Sequence, residues 1–274
     1  MTWHLTADVE EFAKTADRFL RSRPVQHTVL LTLVDKLRRQ GLHLYGPDDP
    51  IFGWWQPPGG EVGGAFLQTP PHPMVFSDIP PEAGPAAVAA LAGRPLPAAN
   101  LVAGAAEEFA ARWPRPSTVR GRMRLYRLDQ LTPAPAPPGS ARPAGTDDRD
   151  LLLRWTAGFH NDIGEPDADI AGQVDDLLSA GGLTLWESAG EPVSMAGRSR
   201  PAAGMVRILN VYTPPEQRGR GYGGAATVAA TRAALADGVR DVVLFTDLAN
   251  PTSNGLYQRL GYRPIEDRVV VEFS

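Results

Sequence analysis

The stretch Leu209–Gly224, LNVYTPPEQRGRGYGG, restricts what this chain can fold into more than any other. An apolar, strand-like run breaks at Pro214 and Pro215, and order resumes through glycines at 219, 221, 223 and 224. Glycine takes up left-handed backbone without steric penalty and lets a ligand come close to the main chain. The small-residue run from Ala225 to Ala236 then predicts a helix. A strand, a glycine-rich turn and a helix in that order leave free N–H groups at a helix N-terminus, where the dipole favours negative charge. Arg218 and Arg220 add full charges, so the pattern predicts an anion site suited to a phosphate.

Gly219-Arg220-Gly221-Tyr222-Gly223-Gly224 satisfies the dinucleotide fingerprint GxGxxG only on paper. In a dinucleotide fold the strand runs almost straight into the first glycine and further strand–helix units follow; here Pro214 to Arg218 intervene and one such unit remains. A Walker loop fails because no Gly-Lys-Ser/Thr follows. The stretch instead resembles the coenzyme A site of the GNAT acetyltransferase superfamily, Gln/Arg-x-x-Gly-x-Gly/Ala after a strand, which here reads Arg218-Gly219-Arg220-Gly221-Tyr222-Gly223. A second element agrees. Asp241 to Thr246 reads as a buried strand, and Asn250 through Tyr257 to Gly261-Tyr262 resembles the family's Asn-x6-Tyr-x3-Gly-Phe/Tyr at the usual distance from the loop.

The resemblance implies an α/β fold, a mixed and mostly antiparallel sheet flanked by helices, and acetyl-CoA as co-substrate. It places the diphosphate on the N–H groups of Arg218, Gly219, Arg220, Gly221, Tyr222, Gly223 and Gly224, and pantetheine beside Asn210, Val211, Tyr212 and Thr213. The thioester carbonyl is expected at the backbone N–H of Val211, Tyr257 is expected as general acid, and Asn250 either touches pantetheine or only caps its helix. The implied activity is N-acetyl transfer from acetyl-CoA to a primary amine by direct attack in a ternary complex. A non-catalytic acyl-CoA-binding or regulatory module is the alternative. The general base stays open: His160, Asp162 and Glu165 are read in the loop after the first helix of the second half, each first of all a solvated residue, and Asn210 stands where some members carry a strand carboxylate. His27, beside an apolar stripe, is read as a packing or hydrogen-bonding residue rather than a catalyst. No metal is expected, since the five histidines fall in no ligand spacing such as HExxH.

Composition narrows the rest. A net charge of -4 over 274 residues with no basic run gives no footprint for nucleic acid; the resemblance implies a small-molecule or peptide amine as acceptor. The absence of cysteine excludes disulfides, Cys-ligated metals and an acyl-cysteine intermediate. No apolar run approaches the about 20 residues that span a bilayer, and MTWHLTADVEEF lacks the plan of a signal peptide, so no membrane partner and a cytoplasmic location are expected.

Two halves share one plan. Ala65 and Ala196, and Met74 and Met205, are each 131 residues apart, and Pro80-Pro81-Glu82 is echoed by Pro214-Pro215-Glu216. We therefore expect tandem GNAT-like domains: a degenerate one at 1–131, a proline-rich linker at 132–139 and a catalytic one at 140–274. After Glu82 the arginines and glycines are missing and Pro85 removes a donor, so the first domain is expected to bind no coenzyme and to wall the acceptor pocket. A first helix is predicted from a cap at Thr6 or Asp8 to Pro24, with Val9, Phe12, Ala16 and Phe19 at helical spacing, and further helices over Val25–Gln40, Ala83–Leu91, Ala105–Trp113, Asp147–Phe159 and Ile170–Ser179, with loop between Leu91 and Ala105.

Overall fold

The computed structural model describes residues 2–133, 135–165 and 169–274; Ala134 of the expected linker lies outside them. The elements run β1 (Thr2–Thr6), α1 (Val9–Ser22), α2 (Thr28–Gln40), β2 (Ile51–Gln56), β3 (Gly64–Gln68), β4 (Met74–Phe76), α3 (Ala83–Ala90), β5 (Ala98–Val102), α4 (Ala103–Arg112) and β6 (Ser117–Leu128). They continue with β7 (Ser140–Pro143), α5 (Arg149–Asp162), α6 (Ile170–Ser179), β8 (Leu183–Ser188), β9 (Glu191–Arg198), β10 (Met205–Tyr212), α7 (Tyr222–Ala236), β11 (Asp241–Asp247), α8 (Pro251–Arg259) and β12 (Tyr262–Phe273). Two compact units result. One comprises Met1–Leu125, Thr246–Ala249 and Ile265–Ser274; the other comprises Tyr126–Phe245 and Asn250–Pro264. This division differs from a single crossing at 132–139, because β6 and β12 each begin in one unit and end in the other.

In the first unit the strands lie in the order β1-β2-β3-β4-β5-β12, antiparallel except for the parallel pair β4 and β5, in which Met74 faces Ala99. Helix α1 starts because Asp8 accepts from Glu10 N and Glu11 N at 2.8 and 3.3 Å. Its buried stripe is Val9, Phe12, Ala16 and Leu20. The stripe ends on Leu20 where Phe19 was expected, and Phe19 packs on His27 at 4.8 Å. Helix α2 begins three residues later than predicted, with Val25 to His27 spent on the turn after Pro24. One face of this sheet carries the core of Trp55, Phe66, Phe76, Ala87, Phe109, Val269 and Phe273.

The second unit repeats the plan as β7-β8-β9-β10-β11, again antiparallel except for one parallel pair, β10 and β11, in which Met205 faces Asp241. Alternation along the strands divides its apolar residues between two faces. Leu185, Met195 and Leu209 go with Leu152, Trp155, Val174 and Leu177 of α5 and α6. Val193, Val206, Ile208 and Leu244 go with Ala226, Val228 and Ala230 of α7 and Tyr257 of α8. The chain thus comprises two units of one plan, each a mixed sheet flanked by helices.

Candidate functional site

The site starts where β10 and β11 part. Their parallel ladder runs from Met205/Asp241 to Ile208/Leu244 and stops, although β10 continues to Tyr212 and β11 to Asp247. At the same point β10 shifts register against β9. Leu209 faces Gly197 and Tyr212 faces Met195, so Asn210 and Val211 together oppose Ala196. This is a β-bulge, and Asn210 takes its left-handed position with φ 48°. Asparagine tolerates that conformation better than other residues bearing a Cβ. Beyond the bulge, Ser194 Oγ donates to Tyr212 O and meets Thr213 Oγ1, both at 2.9 Å, holding the end of β10 against β9.

Pro214 to Gln217 form a short turn, after which the glycine loop enters α7 through two left-handed residues, Gly219 at φ 76° and Gly221 at φ 83°. A side chain at either would be strained. The N–H of Arg218 is accepted by Pro215 O at 3.3 Å, whereas those of Gly219 through Gly224 meet no acceptor among the described residues. A Cβ on Gly223 would stand 3.2 Å from Thr213 Oγ1, and one on Gly224 3.1 Å from Leu256 Cδ1. The result is a run of main-chain donors, without side-chain bulk where Thr213 and Leu256 approach, at the positive end of a 15-residue helix. This arrangement fits a diphosphate.

The side chains around the loop do other work. Arg218 is committed: Nε donates to Thr213 O at 2.9 Å, a terminal nitrogen pairs with Asp162 at 2.6 Å, and the guanidinium lies 5.8 Å from the Tyr212 ring centre. It ties the loop to the end of α5, a link invisible in the sequence because 56 residues separate the partners. Arg220 reaches Gln217 at 3.3 Å. Tyr222 is buried and its Oη meets Ser188 Oγ at 3.3 Å, so it anchors the helix start. Asn250 caps α8 by accepting from Ser253 N at 3.0 Å.

Tyr257 is buried on α8, its ring 6.1 Å from that of Tyr262, and its Oη has no hydrogen-bond partner among the described residues. Burial pushes its phenol up to about 12 from an ordinary value near 10, so it stays protonated across the physiological range. Two of the three expected base candidates change character. His160 and Asp162 belong to the last turn of α5 rather than to a loop, and His160 is buried with Nε2 2.9 Å from Gln173 Oε1 and Nδ1 3.9 Å from Glu165. The helix runs further because its buried stripe is Leu152, Trp155, Thr156 and His160, one residue round from the stripe of Leu151, Leu152, Trp155 and Phe159 that helical spacing predicts. Asp162 is held by Arg218, and Glu165 is exposed. Asn210 is buried with its Nδ2 unpartnered among the described residues. Among those residues no group of three or more His, Asp or Glu gathers as metal ligands would.

The acetyltransferase (GNAT) family model matches residues 150–262, which contain the bulge, the loop and α8. No curated protein matches the sequence. Among solved structures, the chain is similar to an acetyltransferase from the GNAT family from Colwellia psychrerythraea, at 11% identity over 100% of both chains with a TM-score of 0.63. It is also similar to a GCN5-related N-acetyltransferase from Sphaerobacter thermophilus, at 16% identity over 98% of this chain and 94% of that one, TM-score 0.63. A tandem GNAT protein from the clavulanic acid biosynthesis pathway gives 12% identity over 98% and 97%, TM-score 0.56. These structural likenesses speak for the fold of both halves. Over residues 150–262, and in the fold of the whole chain, this protein is similar to the GNAT acetyltransferases.

Proposed function

We propose that the second unit transfers an acetyl group from acetyl-CoA to a primary amine by direct attack in a ternary complex. The observation that carries this reading is the run of unpaired N–H groups from Gly219 to Gly224, opening beside a strand that has left its parallel neighbour. The loop donors hold the diphosphate. Asn210 to Thr213 offer the pantetheine arm an edge to lie along as an added strand. The N–H of Val211, on the bulge, donates to the thioester oxygen as negative charge gathers there, a contribution of roughly 3 kcal/mol in comparable sites. Bound acetyl-CoA supplies the activated acyl group.

Tyr257 holds a proton for the departing sulfur. With its phenol near 12 and an ordinary thiol near 8.5, donation to a free thiolate runs uphill. Its proton therefore moves as the C–S bond breaks, and the proton shed by the attacking amine restores the phenol. The first unit offers no comparable cradle: α3 has eight residues against fifteen in α7, with Pro85 in its first turn, and β4 has three against eight in β10. We assign one coenzyme site per chain, in the second unit.

The test pairs calorimetric titration of acetyl-CoA with CoA release in the presence of spermidine, kanamycin, glucosamine and a lysine peptide. Binding with release supports transfer. Binding without release favours the non-catalytic module.

A further inference from the structure

Tyr126 is among the largest fully buried side chains, and nothing above gives it a task. It lies in β6 and points its hydroxyl at α8: Tyr126 Oη donates to Asn254 Oδ1 at 2.9 Å and accepts from Gln258 Nε2 at 3.0 Å. Asn254 and Gln258 are four residues apart, hence neighbours on one face of the helix. Tyr257 projects from the same helix, about 60° round the axis from Asn254 and about 100° from Gln258. We propose that Tyr126 is a positioning residue for the reaction, setting the rotation of α8 and so the place of the Tyr257 hydroxyl. This inference rests on the reading of Tyr257 as the proton donor.

The helix needs such a clamp. It has nine residues, with Pro251 at its start and Gly255 in its middle, too short and too weakly helical to hold its own shape. The packing of Tyr257 and Leu260 holds it against the sheet but is not directional. The two Tyr126 hydrogen bonds are directional, and both act on one side of the axis. With a tyrosine hydroxyl about 9 Å from the helix axis, a rotation of about 10° displaces it by roughly 1.5 Å. Misplacement of about 1 Å at a reacting centre costs on the order of a hundredfold in rate.

Tyr126→Phe keeps the ring in the core and removes only the hydroxyl. Gln258 is exposed and Asn254 half-buried, so water replaces their lost partner and the fold survives. The chain has six tyrosines, so tyrosine labelled with 13C at Cζ gives six resonances, and Tyr257→Phe assigns that of Tyr257. In full-length Tyr126→Phe we expect the Tyr257 resonance to shift or broaden while that of Tyr222 stays. We also expect kcat for CoA release with the amine panel above to fall at least about tenfold, with KM for acetyl-CoA within twofold. The double variant Tyr126→Phe/Tyr257→Phe should be no slower than Tyr257→Phe alone, and Gln258→Met should fall between wild type and Tyr126→Phe. An unmoved Tyr257 resonance overturns the clamp whatever the rate. A moved resonance with unchanged kcat overturns the general-acid reading and with it the part of Tyr126 in the reaction. A wild type that releases no CoA contradicts transfer and leaves the clamp to be decided by the resonance alone.

Discussion

The proposed chemistry rests on one oxygen of Tyr257. Replacing it with phenylalanine keeps the ring and deletes the proton, so turnover should drop at least about tenfold while acetyl-CoA affinity, measured by calorimetry, stays within about twofold. Unchanged turnover would remove the assignment. The same residue makes a statement about pH. Burial raises the phenols of Tyr257, to about 12, and of Tyr262, so the folded chain holds these protons more tightly than the unfolded chain does. Groups shifted upward contribute their stability fully below the unfolded value near 10 and lose it as pH rises through the folded value. The midpoint of urea unfolding should therefore fall between pH 10 and 12, and kcat should show no loss from Tyr257 below pH 10. A midpoint flat to pH 12 would mean that these hydroxyls are wetter than the packing indicates.

At the scale of elements, the two parallel pairs end differently. In the second unit, β10 and β11 part and leave an edge. In the first, Arg268 of β12 spans the ends of β4 and β5: its guanidinium donates to Phe76 O at 2.5 Å, Asn100 O at 3.0 Å and Asn100 Oδ1 at 2.8 Å, and it pairs with Glu266 at 2.9 Å. This arginine is 3% exposed; burial lowers its basicity and raises the Glu266 carboxyl. Arg268→Met should cost about 3–5 kcal/mol in urea unfolding, because Glu266 and two carbonyls lose their partner, and adding Glu266→Gln should return part of it. A loss below about 1 kcal/mol would show the pair to be replaceable. Neither β5 nor β12 was legible in the sequence. AANLV is small and lacks the β-branched alternation that marks a strand, and YRPIEDRVVVEF opens on a proline and charges whose partners lie 143 and 168 residues away. The glycine loop and the Asn250–Tyr262 element were legible because their constraints are local: left-handed φ angles, a proline break and a cap. His160 and Asp162 were misplaced because the α5 stripe drifts by one residue, which short-range periodicity resolves poorly.

For the molecule as a whole, the repeat predicts two similar domains, yet the proposed coenzyme site lies in the second unit alone. One acetyl-CoA should bind per chain in calorimetry; two would contradict the reading of the first unit. The crossing of β12 has a consequence that the repeat alone does not suggest. Since Ile265–Ser274 belong to the first unit, a chain ending at Pro264 should lose the structure of that unit, seen as new protease cleavage between residues 2 and 125. Cleavage confined to the second unit would contradict the division. The proposed function, however, depends on the loop. The most direct measurement is titration of acetyl-CoA into Gly221→Val and Gly223→Val, with circular dichroism to establish that each remains folded. Valine at 221 meets a left-handed backbone and at 223 stands 3.2 Å from Thr213 Oγ1. Affinity should fall at least about tenfold in both, the equivalent of about 1.4 kcal/mol; wild-type affinity in a folded variant would contradict the proposed coenzyme site.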